Sequence, residues 1–135
     1  MAATELHDVL PVPDFDRPVR ALVVVAPYYR DIAGMLLDGA RATLAAAGAE
    51  VEVVEVPGAL EIPVAIRLAL RQGRHDAFVA LGCVIRGETT HYDIVSGLSS
   101  QGLMLIGLEG ACIGNGILTV ENLDQAVARA DPAGQ

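Results

Sequence analysis

The chain has 135 residues, 53% of them hydrophobic, enough for one domain with a substantial core and too few for two. Its formal net charge of -8 argues against a nucleic-acid partner, because phosphate backbones are bound by cationic surfaces. Aromatic residues make up only 4% and Trp is absent, so the core must be built from Ala, Val, Leu and Ile, a mixture suited to parallel strands buried between helices.

In chain order, the first residues are polar and irregular, and Pro11, Pro13 and Pro18 discourage a helix. Residues 1–18 therefore read as an N-terminal arm, irregular or laid along a neighbouring copy, ahead of an α/β domain over residues 19–135. RALVVVA at Arg20 to Ala26 is a continuous apolar run of the kind found in strands buried on both faces, and Pro27, Tyr28 and Tyr29 interrupt it. Asp31 to Ala47 repeats apolar residues at helical spacing and Gly48 ends it. VEVVEV at Val51 to Val56 predicts a second strand, the turn at Pro57-Gly58 follows, and Leu60 to Leu70 reads as a helix with Pro63 in its first turn.

AFVAL at Ala77 to Leu81 predicts a third strand, with turns at Gly82 and Gly87 leading to a helix that carries His91 one or two residues inside. Thr89 and Thr90 stand where that helix begins, and a helix N-terminus with its unpaired donors is a natural anion cradle. His91 beside it is suited to move protons near neutral pH. GILTV at Gly116 to Val120 predicts a fourth strand, followed by a short helix over Glu121 to Ala130. The order βαβαβαβα predicts a flavodoxin-like, doubly wound, four-stranded parallel sheet flanked by helices.

Such sheets bind ligands at the carboxyl ends of their strands. There the chain gathers Tyr28 and Tyr29 after the first strand, Ala59, Leu60 and Glu61 after the second, and Cys83 to His91 after the third, with Asn115 and Thr119 near the fourth. Cys83 and Cys112 form no C-x-x-C and have no matching His, so both read as reduced residues of the core or of a site. His7 in the arm and His75 in a polar turn read as solvated, and Arg86 as a structural ion pair. No run approaches the ~18 apolar residues of a membrane span, and no leader pattern opens the chain. A cytoplasmic protein without a membrane partner is expected.

Three blocks, VPGALEIP at Val56 to Pro63, GCVIRGETTHYDIV at Gly82 to Val95, and GILTVEN with DQAVAR at Gly116 to Arg129, resemble in order and spacing the 6,7-dimethyl-8-ribityllumazine synthase family. The resemblance runs from about Val19 to Ala130. It implies a transferase of riboflavin biosynthesis that condenses 5-amino-6-(D-ribitylamino)uracil with 3,4-dihydroxy-2-butanone 4-phosphate, releasing phosphate and water, with no metal and no organic cofactor.

By matching motif, the resemblance gives Tyr28 the place of the aromatic that stacks on the pyrimidine. It assigns Ala59, Leu60 and Glu61 to the ribityl chain and pyrimidine edge, and Cys83, Val84 and Ile85 to the pyrimidine through main-chain groups. Glu88 and Thr89 match the phosphate-binding pair, His91 the proton-transfer histidine, and Arg129 an arginine that reaches the phosphate of an adjacent subunit. A homo-oligomer, a pentamer or a multiple of it, is implied with them. The sequence departs from the family at Asn115, where many members have Phe and the neighbour's cover of the substrate is expected, and at Leu98, where Glu is common. It also stops at Gln135, where the family usually continues through a lysine-bearing loop and a further helix, so a shortened C-terminus is expected. Leu98 and that ending motivate a competing reading, a non-catalytic lumazine- or flavin-binding or shell-forming homologue. A flavodoxin-like enzyme acting on another sugar phosphate is a third.

Overall fold

The computed structural model describes residues 10–134. The first half of the expected arm, up to Val9 and His7 included, lies outside the described residues. The elements are β1 (Arg20–Val25), α1 (Arg30–Ala46), β2 (Glu50–Glu55), α2 (Glu61–Gln72), β3 (Ala77–Ile85), α3 (His91–Leu108), β4 (Ile113–Val120) and α4 (Leu123–Ala130), followed by a 3₁₀ turn at Pro132–Gly134. The four strands form one parallel sheet in the order β2-β1-β3-β4, the flavodoxin-like arrangement expected from the alternating pattern.

The central strand β1 is buried at every residue after Arg20, which is why its sequence is apolar without alternation. Leu22 and Val24 pack with Ile62, Ile66, Phe78, Leu103 and Ile106, so α2 and α3 cover one face of the sheet. Val23 and Val25 pack with Ala33, Leu81 and the apolar stripe of α1 on the other face. There α4 joins α1 through Ile32, Val120, Ala126 and Ala130. Parallel strands require crossovers, and the helices that make them supply both coats.

Chain punctuation behaves as its chemistry dictates. Gly48 adopts φ 76° after α1, its N–H bonding Ala45 O while Ala49 N–H bonds Leu44 O. This paired closure of a helix end needs a left-handed residue that glycine supplies without strain. Pro63 falls in the first turn of α2, where the missing N–H has no partner to lose. Asn122 caps α4, its Oδ1 accepting Gln125 N–H at 2.9 Å.

Several expectations are corrected. β3 does not end at Leu81: it continues through Ile85, and Gly82 is an interior strand residue paired with Ile117, so the turn starts at Arg86. The ladder to β4 holds those extra residues extended, which a single-strand reading does not reveal. β4 in turn begins at Ile113 rather than Gly116, because Ile113 pairs with Phe78. That register puts Asn115 opposite Ala80, well below the carboxyl edge where it was expected. Cys112 is exposed ahead of β4 rather than buried in a core. His75 is not solvated: its side chain is 6% exposed, with Nε2 2.6 Å from Glu52 Oε2 and Nδ1 buried without a partner among the described residues. The tautomer that donates Nε2–H to Glu52 leaves only a lone pair at Nδ1, which is cheaper to bury than an unpaired N–H.

Candidate active site

At the carboxyl edge, where β1 and β3 lie side by side and their crossovers run to opposite faces, a cavity of about 450 Å³ opens. Four chain segments line it: Tyr28 and Tyr29 after β1, residues 57–61 after β2, Cys83, Val84 and Ile85 at the end of β3, and His91 with Val95 on α3. This crevice is the topological switch point at which open α/β sheets bind ligands.

Each wall follows from local structure. The chain leaves β1 through Pro27, which places two aromatic rings at the rim: Tyr28 is 76% exposed, and Tyr29 meets it edge-on with centroids 4.9 Å apart and planes at 77°. Tyr29 is half-buried against the core beneath α1 and α4, so the exposed ring rests on an anchored one. Glu61 is the first residue of α2, and its Oε2 reaches back over the preceding turn. A Cβ at Gly58 would lie 3.0 Å from that oxygen, so glycine leaves room for the carboxylate. Ala59, Val84 and Val95 pack together as the apolar floor, with Tyr92 and Ile117 beside them.

The titratable groups divide by depth. Burial pushes the Tyr29 phenol above its ordinary value, with Tyr28 and Cys83 adding to the shift. Burial also raises the Cys83 thiol. Both are neutral near neutral pH, so the inner wall carries no anion. His91 and Glu61 stand exposed at the mouth, where protons exchange with water. The arrangement offers a ring face, an apolar floor, main-chain groups of an edge-on strand end, one carboxylate and one imidazole. It suits a planar heterocycle with a hydroxylated side chain and a reaction that moves protons.

Of the residues singled out from the sequence, Tyr28, Ala59, Leu60, Glu61, Cys83, Val84, Ile85 and His91 come together around this cavity. Glu88, Thr89, Asn115 and Arg129 do not line it. Glu88 and Thr89 are exposed on the loop that precedes α3, and Thr89 Oγ1 accepts the His91 N–H at 3.3 Å. His91 is thus the first helical residue rather than one or two residues inside. Asn115 is exposed lower on the edge strand, its Oδ1 accepting Ile117 N–H at 2.9 Å. Arg129 lies on α4 with Nη1 donating to Gln125 O at 3.0 Å. Val95, Pro57 and Gly58 also line the cavity; they lie within the blocks that carry the resemblance, but the sequence reading gives them no role in the site. Val95 follows His91 by four residues, and that spacing shares a helix face.

A model of the 6,7-dimethyl-8-ribityllumazine synthase family matches residues 18–135. Relatives bearing that name include a protein of Jannaschia sp. (strain CCS1), 55% identical over 122 residues that make up 90% of this chain and 68% of the relative. One from Sphingopyxis alaskensis is 58% identical over 110 residues, 82% of this chain and 78% of the relative. One from Methylorubrum extorquens (strain PA1) is 59% identical over 117 residues, 82% and 68% respectively.

Proposed function

Because this chain belongs to the 6,7-dimethyl-8-ribityllumazine synthase family, we propose that the cavity at the β1/β3 edge is where it carries out that family's condensation. The enzyme is a transferase of riboflavin biosynthesis, joining 5-amino-6-(D-ribitylamino)uracil to 3,4-dihydroxy-2-butanone 4-phosphate with release of phosphate and water. The observation that carries the site reading is the convergence of Tyr28, Glu61, the Cys83–Ile85 strand end and His91 on one cleft from four separated segments.

In this reading the pyrimidine stacks on the Tyr28 ring, and main-chain groups of Cys83 to Ile85 meet its polar edge. Glu61 accepts hydrogen bonds from ribityl hydroxyls, beside Ala59 and Leu60. The amine then condenses with the ketone to an imine, phosphate is eliminated, and the ring closes with loss of water. Each stage transfers a proton, and His91 at the mouth serves as the shuttle. The butanone phosphate lies toward the Glu88–Thr89 loop, whose backbone N–H groups and helix start favour an anion while the exposed Glu88 carboxylate points to water.

Asn115 and Arg129, which lie outside this cavity, are assigned to the cavity of a neighbouring copy, which makes the working unit a homo-oligomer, a pentamer or a multiple of it. Exposed apolar residues support an extensive self-contact: Val64 and Leu68 on α2, and Ile94, Leu98, Leu105 and Leu108 on α3. Leu98 follows Ile94 by one turn, so the residue that departs from the family extends an apolar stripe. Among the described residues no helix is long and apolar enough to cross a membrane, and the cytoplasm is the proposed location.

The test is the rate of lumazine formation from the two substrates, followed optically against an enzyme-free control because the condensation proceeds unaided. The wild-type chain is expected to exceed the control, and His91→Ala to slow turnover by ~10²- to 10⁴-fold, as for other lost acid–base groups. A His91→Ala enzyme with an unchanged rate would remove the imidazole from the mechanism.

A further inference from the structure

We propose that Arg86 is a positioning residue for the reaction, holding the first turn of α3, and with it His91, in place over the cleft. The inference rests on His91 being the proton shuttle. Arg86 is the first residue after β3, and its own N–H bonds Val120 O at 2.9 Å, which anchors its main chain at the carboxyl edge of the sheet. Its side chain reaches two other elements. Nε donates to Glu121 Oε2 at 2.7 Å, at the junction of β4 and α4. Nη1 lies 3.6 Å from Asp93 Oδ1, and the guanidinium carbon sits 4.3 Å from the centroid of the Tyr92 ring.

Tyr92 and Asp93 are the two residues that follow His91 in α3. Glu121 is itself held, its N–H donating to Gln125 Oε1 at 2.8 Å. One guanidinium therefore ties the end of β3, the end of β4 and the opening turn of α3 into one frame. Its planar fork and delocalised charge suit a simultaneous hydrogen bond, ion pair and ring stack, which a lysine ammonium cannot make together.

The contacts are at the surface, where each ion pair contributes little to stability. Their consequence is placement. Proton transfer requires donor and acceptor within hydrogen-bond reach, and a shift of ~1 Å costs on the order of 10²-fold in rate. Arg86 also compensates two carboxylates, Asp93 and Glu121, close to the loop that receives an anionic substrate. Its loss leaves both uncompensated there. The pyrimidine's proposed contacts at Tyr28 and Glu61 stand on other elements, and those at Cys83 to Ile85 are held by the main-chain ladder to β4 and the Arg86 N–H bond to Val120 O, which a side-chain substitution leaves in place, so all are spared.

The experiment is steady-state kinetics of lumazine formation for the assembled enzyme, varying each substrate in turn, in Arg86→Met, Arg86→Lys, Glu121→Gln, Asp93→Asn and the Arg86→Met/Glu121→Gln double variant, with His91→Ala alongside. The expected result for Arg86→Met is a fall in kcat of about 10- to 100-fold, a raised KM for the butanone phosphate and an unchanged KM for the pyrimidine. Arg86→Lys restores only part of the rate, and the double variant is no worse than Arg86→Met alone because the two groups act as a pair. Should Arg86→Met not fold, Glu121→Gln and Asp93→Asn, which keep side-chain size, must show the same selective loss. Unchanged kcat in the folded variants, equal changes in both KM values, or additive effects in the double variant would overturn the proposal. If His91→Ala lowers kcat and Arg86→Met does not, the proposal for Arg86 alone fails; if His91→Ala leaves kcat intact, the shuttle reading beneath it fails.

Discussion

Gly102→Ala sets two opposing effects against each other at the contact of α2 with α3. Alanine in a helix interior is favoured over glycine by up to ~1 kcal/mol. A Cβ at Gly102, however, would lie 2.8 Å from Pro63 Cβ and 2.9 Å from Pro63 Cγ. Carbon atoms in contact sit near ~3.5 Å or beyond, so the helices must part by roughly 0.7 Å. The proline ring cannot rotate aside as a flexible side chain would. Overpacking of this kind costs ~1–3 kcal/mol, which exceeds the propensity gain and leaves a net loss of about 1 kcal/mol. The assay is urea unfolding at matched protomer concentration, since self-association adds to apparent stability. Gly34→Ala in α1 is the control, because nothing among the described residues lies within 4 Å of its added Cβ, and it is expected to stabilise. Pro63 stands two residues beyond Glu61, so Gly102→Ala is also expected to raise the KM for the pyrimidine. A Gly102→Ala protein as stabilised as Gly34→Ala would refute the packing argument.

Replacing Tyr28 by Phe keeps the ring face and is expected to leave the pyrimidine KM unchanged. Tyr28→Ala removes a stacking contact worth ~1–3 kcal/mol and should raise that KM by about 5- to 150-fold, read from initial rates. Arg129→Ala is expected to raise the KM for the butanone phosphate more than that for the pyrimidine, and equal effects would contradict its assignment to a phosphate. Because burial raises the Cys83 thiol, its alkylation by iodoacetamide should gain rate only at a pH above that of a free thiol, and bound lumazine should slow it further. The sign for stability follows: with the native pKa above the unfolded one, this group's contribution is complete below the ordinary thiol range and is lost as pH rises through the native value. Peptide mass spectrometry across a pH series, with denaturant midpoints measured alongside, reads both.

The sequence by itself determined what depends on neighbours along the chain. The unbroken run at Leu22 to Val25 announced a doubly buried strand, the spacing of Leu36, Leu37, Ala40 and Leu44 an amphipathic helix, and Gly48 its stop, since period and backbone freedom are local properties. The site residues nearest the strand ends were legible for the same reason: once the βα order is known, Tyr28, Glu61 and Cys83 must fall at one edge of the sheet.

What only the tertiary structure decided were matters of register and burial. Gly82 reads as a turn by composition, yet the β4 ladder keeps it in a strand, and the same register lowers Asn115 away from the cleft. His75 reads as solvated, yet it is buried against Glu52 across a separation of 23 residues, and Cys112 reads as a core or site-lining residue yet meets solvent. The three-way bond at Arg86 joins residues 35 positions apart on one guanidinium. None of these carries a periodic signal, because they are pairings between segments that meet only when the sheet assembles, and their partners are chosen by the order β2-β1-β3-β4 rather than by the residues beside them.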